Sequence, residues 1–460
     1  MTDQPSRKTA RLRLEHMIHT LRGDIIAGKR RPGDFLPTER ELSKQFLLSN
    51  KLVRVGLGAL VREGLIEKIA RIGNRVAEPL PDRPVGLRFG YPSSLDRDAE
   101  LGALVRQFHR DHPAIHVQPI PIAFDKYYET VKAYLETGLI DIVAMNYNNF
   151  HDFCRNGRLD LLLECERDDD AYYPFLADAF SSGGKLYVRP FVFSPLVLCY
   201  NRDHLRAAGL PDPYRPDSWE RLTEDAARLT VENERFGFYF FLHSKNRWPV
   251  FVMQSGGLGA DAASGRESSI DAIMNGLNVC REIIYAPNTF PTFLSGSDAD
   301  AEELFAQGKV SVILSSYMAM NRLRESDVRF DIAPLPVLRE PATIMMTIGL
   351  AVNKRSESAG AARKFADYLL SANAQTDIRA KTLSIPALRQ AAERTGAETI
   401  YRPPGYMSYL DMVPYMRLFT DLGLTAPQMD AIMKEANLYW AKLQSEIGMR
   451  GKIEAILRAD

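Results

Sequence analysis

Cysteine is scarce, and the four copies present (Cys154, Cys165, Cys199 and Cys280) fall in no CxxC spacing. That excludes a ribbon-type zinc site and a thioredoxin-like motif, and predicts buried reduced thiols. No run of about 18 apolar residues occurs, so no membrane-spanning helix is expected. The N-terminus has Arg and Lys without a following apolar run, which predicts no export signal. Together these readings predict a cytoplasmic protein. The chain also lacks net charge, with 58 Lys and Arg against 58 Asp and Glu. The balance hides an asymmetry: residues 1–80 hold 16 basic against 9 acidic side chains, and the remainder 42 against 49. A basic end on an acidic body predicts that only the end meets nucleic acid.

That basic end carries its own signals. Leu14, Ile18, Leu21 and Ile25 recur at helical spacing, predicting a helix over 8–27. Gly28 and Pro32-Gly33 end it. Thr38 and Glu41 form a capping box, in which a hydroxyl and a carboxylate each satisfy a free N–H at a helix start. Leu42 and Phe46 give that helix one apolar face. Ser49 can cap a second helix, with Val53, Leu57 and Leu60 on one side and Asn50, Lys51 and Arg54 elsewhere. Gly64 is placed to end it. Gly56 predicts a close approach between helices; Gly58 has no evident role. Residues 65–69 and 75–77 read as strands, with Arg71-Ile72-Gly73-Asn74 as the turn between them. Arg71 and Asn74 could reach a minor groove or phosphates.

Pro32-Gly33, Leu36-Pro37-Thr38-Glu39-Arg40-Glu41-Leu42, Val53-Arg54 and Glu63-Gly64-Leu65-Ile66 resemble the winged-helix domain of GntR-family bacterial regulators. The resemblance covers roughly the first 78 residues. It implies a DNA-binding homodimer whose operator is a short palindrome. Arg40 and Arg54 match positions from which that family contacts DNA. The family often has Arg where this chain has Asn50, and Gly where it has Arg71. The residues expected to face DNA are Thr38, Arg40, Ser49, Asn50, Lys51, Arg54, Arg71 and Asn74.

Three prolines within residues 79–84 predict a stiff extended linker. Beyond it strands and helices alternate: strands over 85–90, 115–122 and 140–145, helices over 98–111 and 126–137. The alternation predicts a parallel sheet flanked by helices. Ligands on such sheets sit beyond the carboxyl ends of strands, here Tyr91-Pro92-Ser93-Ser94 and Met145-Asn146-Tyr147-Asn148.

A second resemblance covers nearly all of residues 85–460. Gly184-Lys185-Leu186-Tyr187-Val188-Arg189-Pro190, Leu198-Cys199-Tyr200-Asn201-Arg202, Ser218-Trp219-Glu220, Trp248-Pro249, Gly256-Gly257, Phe305 with Gly308-Lys309, Ala333-Pro334-Leu335-Pro336 and Gly349-Leu350-Ala351-Val352 are similar in order to sugar-binding bacterial extracellular solute-binding proteins. The resemblance implies a two-lobed, periplasmic-binding-protein-like (type II) α/β fold, with chain crossings near 191–195, 337–341 and 371–376. The expected organisation is a winged helix-turn-helix domain, mainly α with a small β wing, over 1–78 and a linker over 79–84. Lobe one would then be 85–190 with 341–372, and lobe two 195–336 with 376–460.

The cleft of such a fold is expected to use Tyr91, Ser93, Ser94, Asn146, Tyr147, Asn148, Met346 and Thr347 from lobe one. Phe193 and Ser194 would lie at the hinge, with Trp248 and Tyr317 from lobe two. Aromatic faces cover sugar C–H patches while amides and hydroxyls hold the OH groups. No acidic net is evident in those loops, which favours a neutral solute. Trp219 is expected to pack structurally. His109, His112 and His116 read as surface histidines, and Ser182 with Lys185 as a hairpin turn rather than a catalytic pair. The acidic cluster 298–303 reads as a solvated face or helix start. Met429, Ile432, Met433, Ala436, Tyr439 and Trp440 share one helical face, expected to pack on lobe two. No cofactor, metal or catalytic constellation is expected. The chain reads as a ligand-responsive transcription regulator; the alternative is a transport or scavenging component.

Overall fold

The computed structural model describes residues 7–26, 29–62, 64–69, 72–77, 85–124, 126–256, 266–287, 289–291, 296–396 and 398–458. Arg71, the linker 79–84 and the glycines of 257–259 lie outside the described residues. Contacts separate the chain into two units, essentially its first 86 residues and the remainder.

The first unit is three helices and a two-stranded wing: α1 (Arg7–Ile26), α2 (Glu39–Phe46), α3 (Asn50–Arg62), β1 (Ile66–Ile69) and β2 (Gly73–Val76). The capping box at Thr38 is formed on both sides, with Glu41 N on Thr38 Oγ1 at 3.3 Å and Thr38 N on Glu41 Oε2 at 2.8 Å. Leu47 ends α2 in the left-handed region (φ 51°), so only three residues separate α2 from α3. Ser49 Oγ accepts from Leu52 N at 3.3 Å. The buried face of α1 is centred on Met17, Leu21 and Ile25, with Leu14 and Ile18 at its edge. Gly56 is where α3 meets α1, since a Cβ there would collide with Met17 Cε. The wing differs from expectation. Asn74 sits inside β2 opposite Lys68 rather than in a turn, because residues 33–36 pair with β2 through Leu36 N to Asn74 O (2.9 Å) and Val76 N to Asp34 O (2.8 Å). These extra backbone bonds extend the strand to Gly73.

The second unit is built on one long sheet. Its strands are β3 (Val85–Pro92), β4 (Ile115–Ile122), β5 (Ile142–Asn146), β6 (Arg189–Asn201), β7 (Phe236–Tyr239), β8 (Val310–Ser316), β9 (Phe330–Ala333) and β10 (Thr343–Val352). The main order is β4-β3-β5-β10-β6-β8-β7, with β9 also on β6. β6 belongs to both lobes. Residues 189–195 pair with β10, and residues 196–201 pair with β8 and β9. The first crossing is therefore an unbroken buried strand, not a loop. The expected all-parallel arrangement holds for β3 with β5, but β10 is antiparallel to β5 and β6. It enters from the far lobe and so runs the other way.

The helix expected over 98–111 is two helices, α4 (Leu95–Asp98) and α5 (Leu101–Asp111), broken where Glu100 takes φ 52°. That break turns the Glu100 carboxylate to Arg324, 2.7 Å away. Ser182 and Lys185 pair across a hairpin whose tip is Gly183 and Gly184, both at positive φ, and Lys185 pairs with Glu164 at 2.7 Å. Glycine tolerates that backbone region without a Cβ penalty. His109 is half-buried, and its Nε2 accepts the Val117 N–H at 2.9 Å. The cysteines are free thiols, Cys199 and Cys280 fully buried. Trp219 is core, its Nε1 donating to Gln254 at 2.8 Å. The last helices, Ala426–Trp440 and Glu446–Arg458, break at Lys442 (φ 59°). The first buries all six apolar residues of its expected face, with Trp440 Nε1 on Leu277 O at 2.9 Å.

Candidate DNA-contacting face and ligand cleft

In the first unit Thr38, Arg40, Ser49, Asn50, Lys51 and Arg54 are all exposed, at the start of α2 and along the first turns of α3. Arg54 Nε lies 2.7 Å from Glu39 Oε2, with the Arg54 side chain 68% exposed. An ion pair so open to water is worth little, so Glu39 orients the guanidinium without sequestering it. Backbone and hydroxyl bonds from Thr38 hold the Glu41 carboxyl below its usual range. A short turn followed by a polar helix start is the geometry that presents side chains to a major groove. Asn74 is half-buried in the wing strand.

In the second unit a cavity of about 440 Å³ lies between the lobes. Six of the expected ligand residues line it: Ser94, Asn146, Tyr147, Asn148, Met346 and Thr347. Asn146 ends β5 and caps the following helix, Tyr147–Arg155, accepting from Asn149 N at 2.9 Å. Tyr147 therefore sits in the first turn, its hydroxyl 2.6 Å from Thr420 Oγ1 and its pKa raised by burial. Thr347 Oγ1 donates to Val192 O at 3.1 Å.

The other six do not line this cavity. Tyr91 is buried, stacked on Phe89 and donating to Asp96 at 3.1 Å. Ser93 is exposed, on the outer side of its loop. Phe193 is wholly buried among Tyr173, Phe175 and Tyr409. Ser194 is buried at the hinge, where its Oγ accepts from Met318 N at 3.2 Å. Trp248 is fully buried as the residue that leads into the helix Pro249–Gln254. Tyr317 is fully buried and donates to Tyr406 O at 2.8 Å. Trp248 and Tyr317 each follow a cleft-lining neighbour, Arg247 and Ser316, but their aromatic bulk is buried in the core rather than left in a wet cleft.

The sequence missed the charged half of the cleft: Arg97, Asp98, Arg247, Asp298, Glu302 and Arg322 all line it, with Phe124, Asn246 and Phe419. The acidic cluster 298–303 is the expected helix start, with Asp300 and Glu303 exposed and Asp298 and Glu302 turned to the cleft. It begins the helix Asp298–Ala306, capped by Ser297, and that helix start forms the cleft wall. The expected neutral lining is therefore corrected. Arg247 is 3% exposed; its Nε donates to Leu314 O at 3.1 Å, and its Nη2 lies 3.4 Å from Glu302. Arg97 grips Asp98 at 2.8 Å. Burial pushes Asp98 up to about 6 and Glu302 up to about 7, against the pull of Arg97 and Arg247 respectively. Asn246 stands two residues before the Trp248-Pro249 signal, which marked the right loop and the wrong side chain.

Among the described residues no helix is long and apolar enough to cross a membrane. Residues 14–76 match the gntR family of bacterial regulatory proteins. The same end is 43% identical over 61 residues to the arabinose metabolism transcriptional repressor of Geobacillus stearothermophilus, covering 13% of this chain and 17% of that protein. Over 289 residues the chain is 25% identical to a binding protein of Brucella abortus (strain 2308), covering 60% of this chain and 66% of that relative's length. The maltose-bound MalE3 of T. maritima superposes with a TM-score of 0.69 at 17% identity, over 81% of this chain and 99% of that one. Residues 91–376 match the bacterial extracellular solute-binding protein family, and the chain belongs to that family, with a GntR-type DNA-reading domain at its N-terminal end.

Proposed function

We propose that the protein is a transcription regulator whose operator affinity is set by a sugar or other small polar solute held in the interlobe cleft. The observation that carries this is the cleft itself. It joins an aromatic ring, Tyr147, to the amides Asn146, Asn148 and Asn246 in about 440 Å³, a size and chemistry suited to a small hydroxylated ligand. The chain acts in the cytoplasm as a homodimer, with lobe one over 85–190 and 341–372 and lobe two over 195–336 and 376–460. Thr38, Arg40, Ser49, Asn50, Lys51 and Arg54 contact the operator. Arg71 and Asn74 add contacts to phosphates or a minor groove. Half-sites about 34 Å apart make binding sensitive to the separation of the two heads, so lobe closure alters affinity. The ligand acts only through its differential affinity for the two states, typically 1–3 kcal/mol.

A thermal-shift screen starting from maltose and arabinose finds the ligand class, because saturation at 100 times Kd stabilises by about 2.7 kcal/mol. Operator affinity is then measured by fluorescence anisotropy with and without that ligand. A change of 5- to 150-fold is expected; equal affinities refute the coupling. Weak operator binding under all conditions would favour the scavenging alternative.

A further inference from the structure

The three cleft arginines are not equivalent. Arg97 spends its guanidinium on Asp98, and Arg247 on Glu302, Asp298 and the Leu314 carbonyl. Arg322, at the end of the short helical turn Ala319–Leu323, lines the cleft, is exposed, and makes no hydrogen bond or ion pair among the described residues. It stands close enough to Asp98 and Glu302 to pull both carboxyls downward, yet burial dominates at each. Each of these carboxylates already holds another arginine, Arg97 on Asp98 and Arg247 on Glu302, so neither is committed to Arg322. Asp298, on the same wall as Glu302, accepts from Ser244 Oγ at 2.7 Å on one oxygen, while its Oδ1 is closed off from solvent and lies 3.7 Å from Arg247 Nε.

A neutral sugar leaves Arg322 idle. A cation meets Arg322 as a like charge. We propose that the cleft takes a sugar acid, a polyhydroxylated ligand with one carboxylate, and that Arg322 is the residue that holds the carboxylate. One guanidinium fork matches one carboxylate in a bidentate pair. A phosphate dianion fits less well, because the other two cleft arginines are already paired with Asp98 and Glu302 and its second charge finds no further partner among them. Ligand hydroxyls bond to the amides Asn146, Asn148 and Asn246, and Tyr147 covers the carbon skeleton. This deepens the proposed function and rests on its reading of the cleft as a sugar site.

The test is calorimetric titration of the full chain at pH 7 with matched probes: glucose, glucuronate and glucose 6-phosphate, then galactose and galacturonate. Each is repeated on Arg322→Gln and Arg322→Lys; the side chain is exposed, so both variants are expected to fold. The expected result is a uronate at least tenfold tighter than its parent sugar, about 1.4 kcal/mol. Arg322→Gln should erase that preference and Arg322→Lys retain part of it. A parent sugar binding as tightly as its uronate, or a preference that survives Arg322→Gln, overturns the sugar-acid proposal and leaves the sugar reading standing. Preference for the phosphate ester overturns the choice of carboxylate. If no sugar, acid or ester binds, the sugar reading falls, and this proposal with it.

Discussion

Arg324 is the side chain whose loss should report on lobe closure. Its Nη1 lies 2.7 Å from Glu100 Oε1 and 2.6 Å from Lys381 O, and its Nη2 donates to the Arg97 carbonyl at 3.3 Å. Glu100 and Arg97 stand on the lobe that carries β3, whereas Arg324 follows β8 on the other. The side chains of Arg324 and Glu100 are 17% and 35% exposed. The pair therefore falls between an open surface bridge, worth up to about 1 kcal/mol, and a buried one whose rupture costs about 3–5 kcal/mol. Discounting for water at Glu100, the clasp favours the closed arrangement by about 1.5 kcal/mol. Ligand affinity scales with the population of the competent state. Glu100→Gln, which keeps the two carbonyl bonds, should then weaken the ligand by a few fold, and Arg324→Gln by about tenfold. Calorimetric titration gives the affinities, and small-angle scattering of the ligand-free protein should show a larger radius of gyration in Arg324→Gln. Wild-type affinity in both variants, with unchanged scattering, refutes the clasp.

Three further outcomes follow from particular contacts. Gly58 has open space around its Cβ position while Gly56 faces Met17 and Leu14; denaturant unfolding should show Gly58→Ala more stable by about 0.5–1 kcal/mol and Gly56→Ala less stable. Asp98, 4% exposed, has a folded pKa raised from 3.8 to about 6. Its proton favours folding, so that contribution is complete below pH 3.8 and lost as pH rises through 6. The stability of Asp98→Asn relative to wild type should accordingly improve by roughly 2.4 kcal/mol between pH 4 and 7.5, a drift read from urea midpoints. Arg40→Ala and Lys51→Ala should each weaken operator binding on all sequences and shallow the log–log salt slope by about 1 per phosphate contact; an unchanged slope removes them from the DNA face.

The N-terminal domain was legible because its determinants are local. A capping box, a hydroxyl at Ser49 and a glycine at Gly64 act over three or four residues, and their hydrogen bonds are made wherever the helix forms. Asn74 was misread because the residues that extend its strand, 33–36, lie forty positions away. In the larger domain the loop after β5 was readable for the same local reason, since Asn146 both ends a strand and caps a helix. Trp248 and Tyr317 were misjudged because an aromatic is equally suited to a core and to a sugar face, and only the packing around it decides.

The sequence by itself determined the order of the parts, the caps that start the helices, and the two family signatures. Only the tertiary structure decided which lobe residues face one another. Asp98 and Glu302 are about two hundred residues apart in the chain and Arg322 lies on a third segment, yet all three line one cleft. The reason is physical: hydrogen-bonded caps and periodicities are short-ranged, whereas a cleft's electrostatics arise from charges that meet only after β6 and β10 have joined the two lobes.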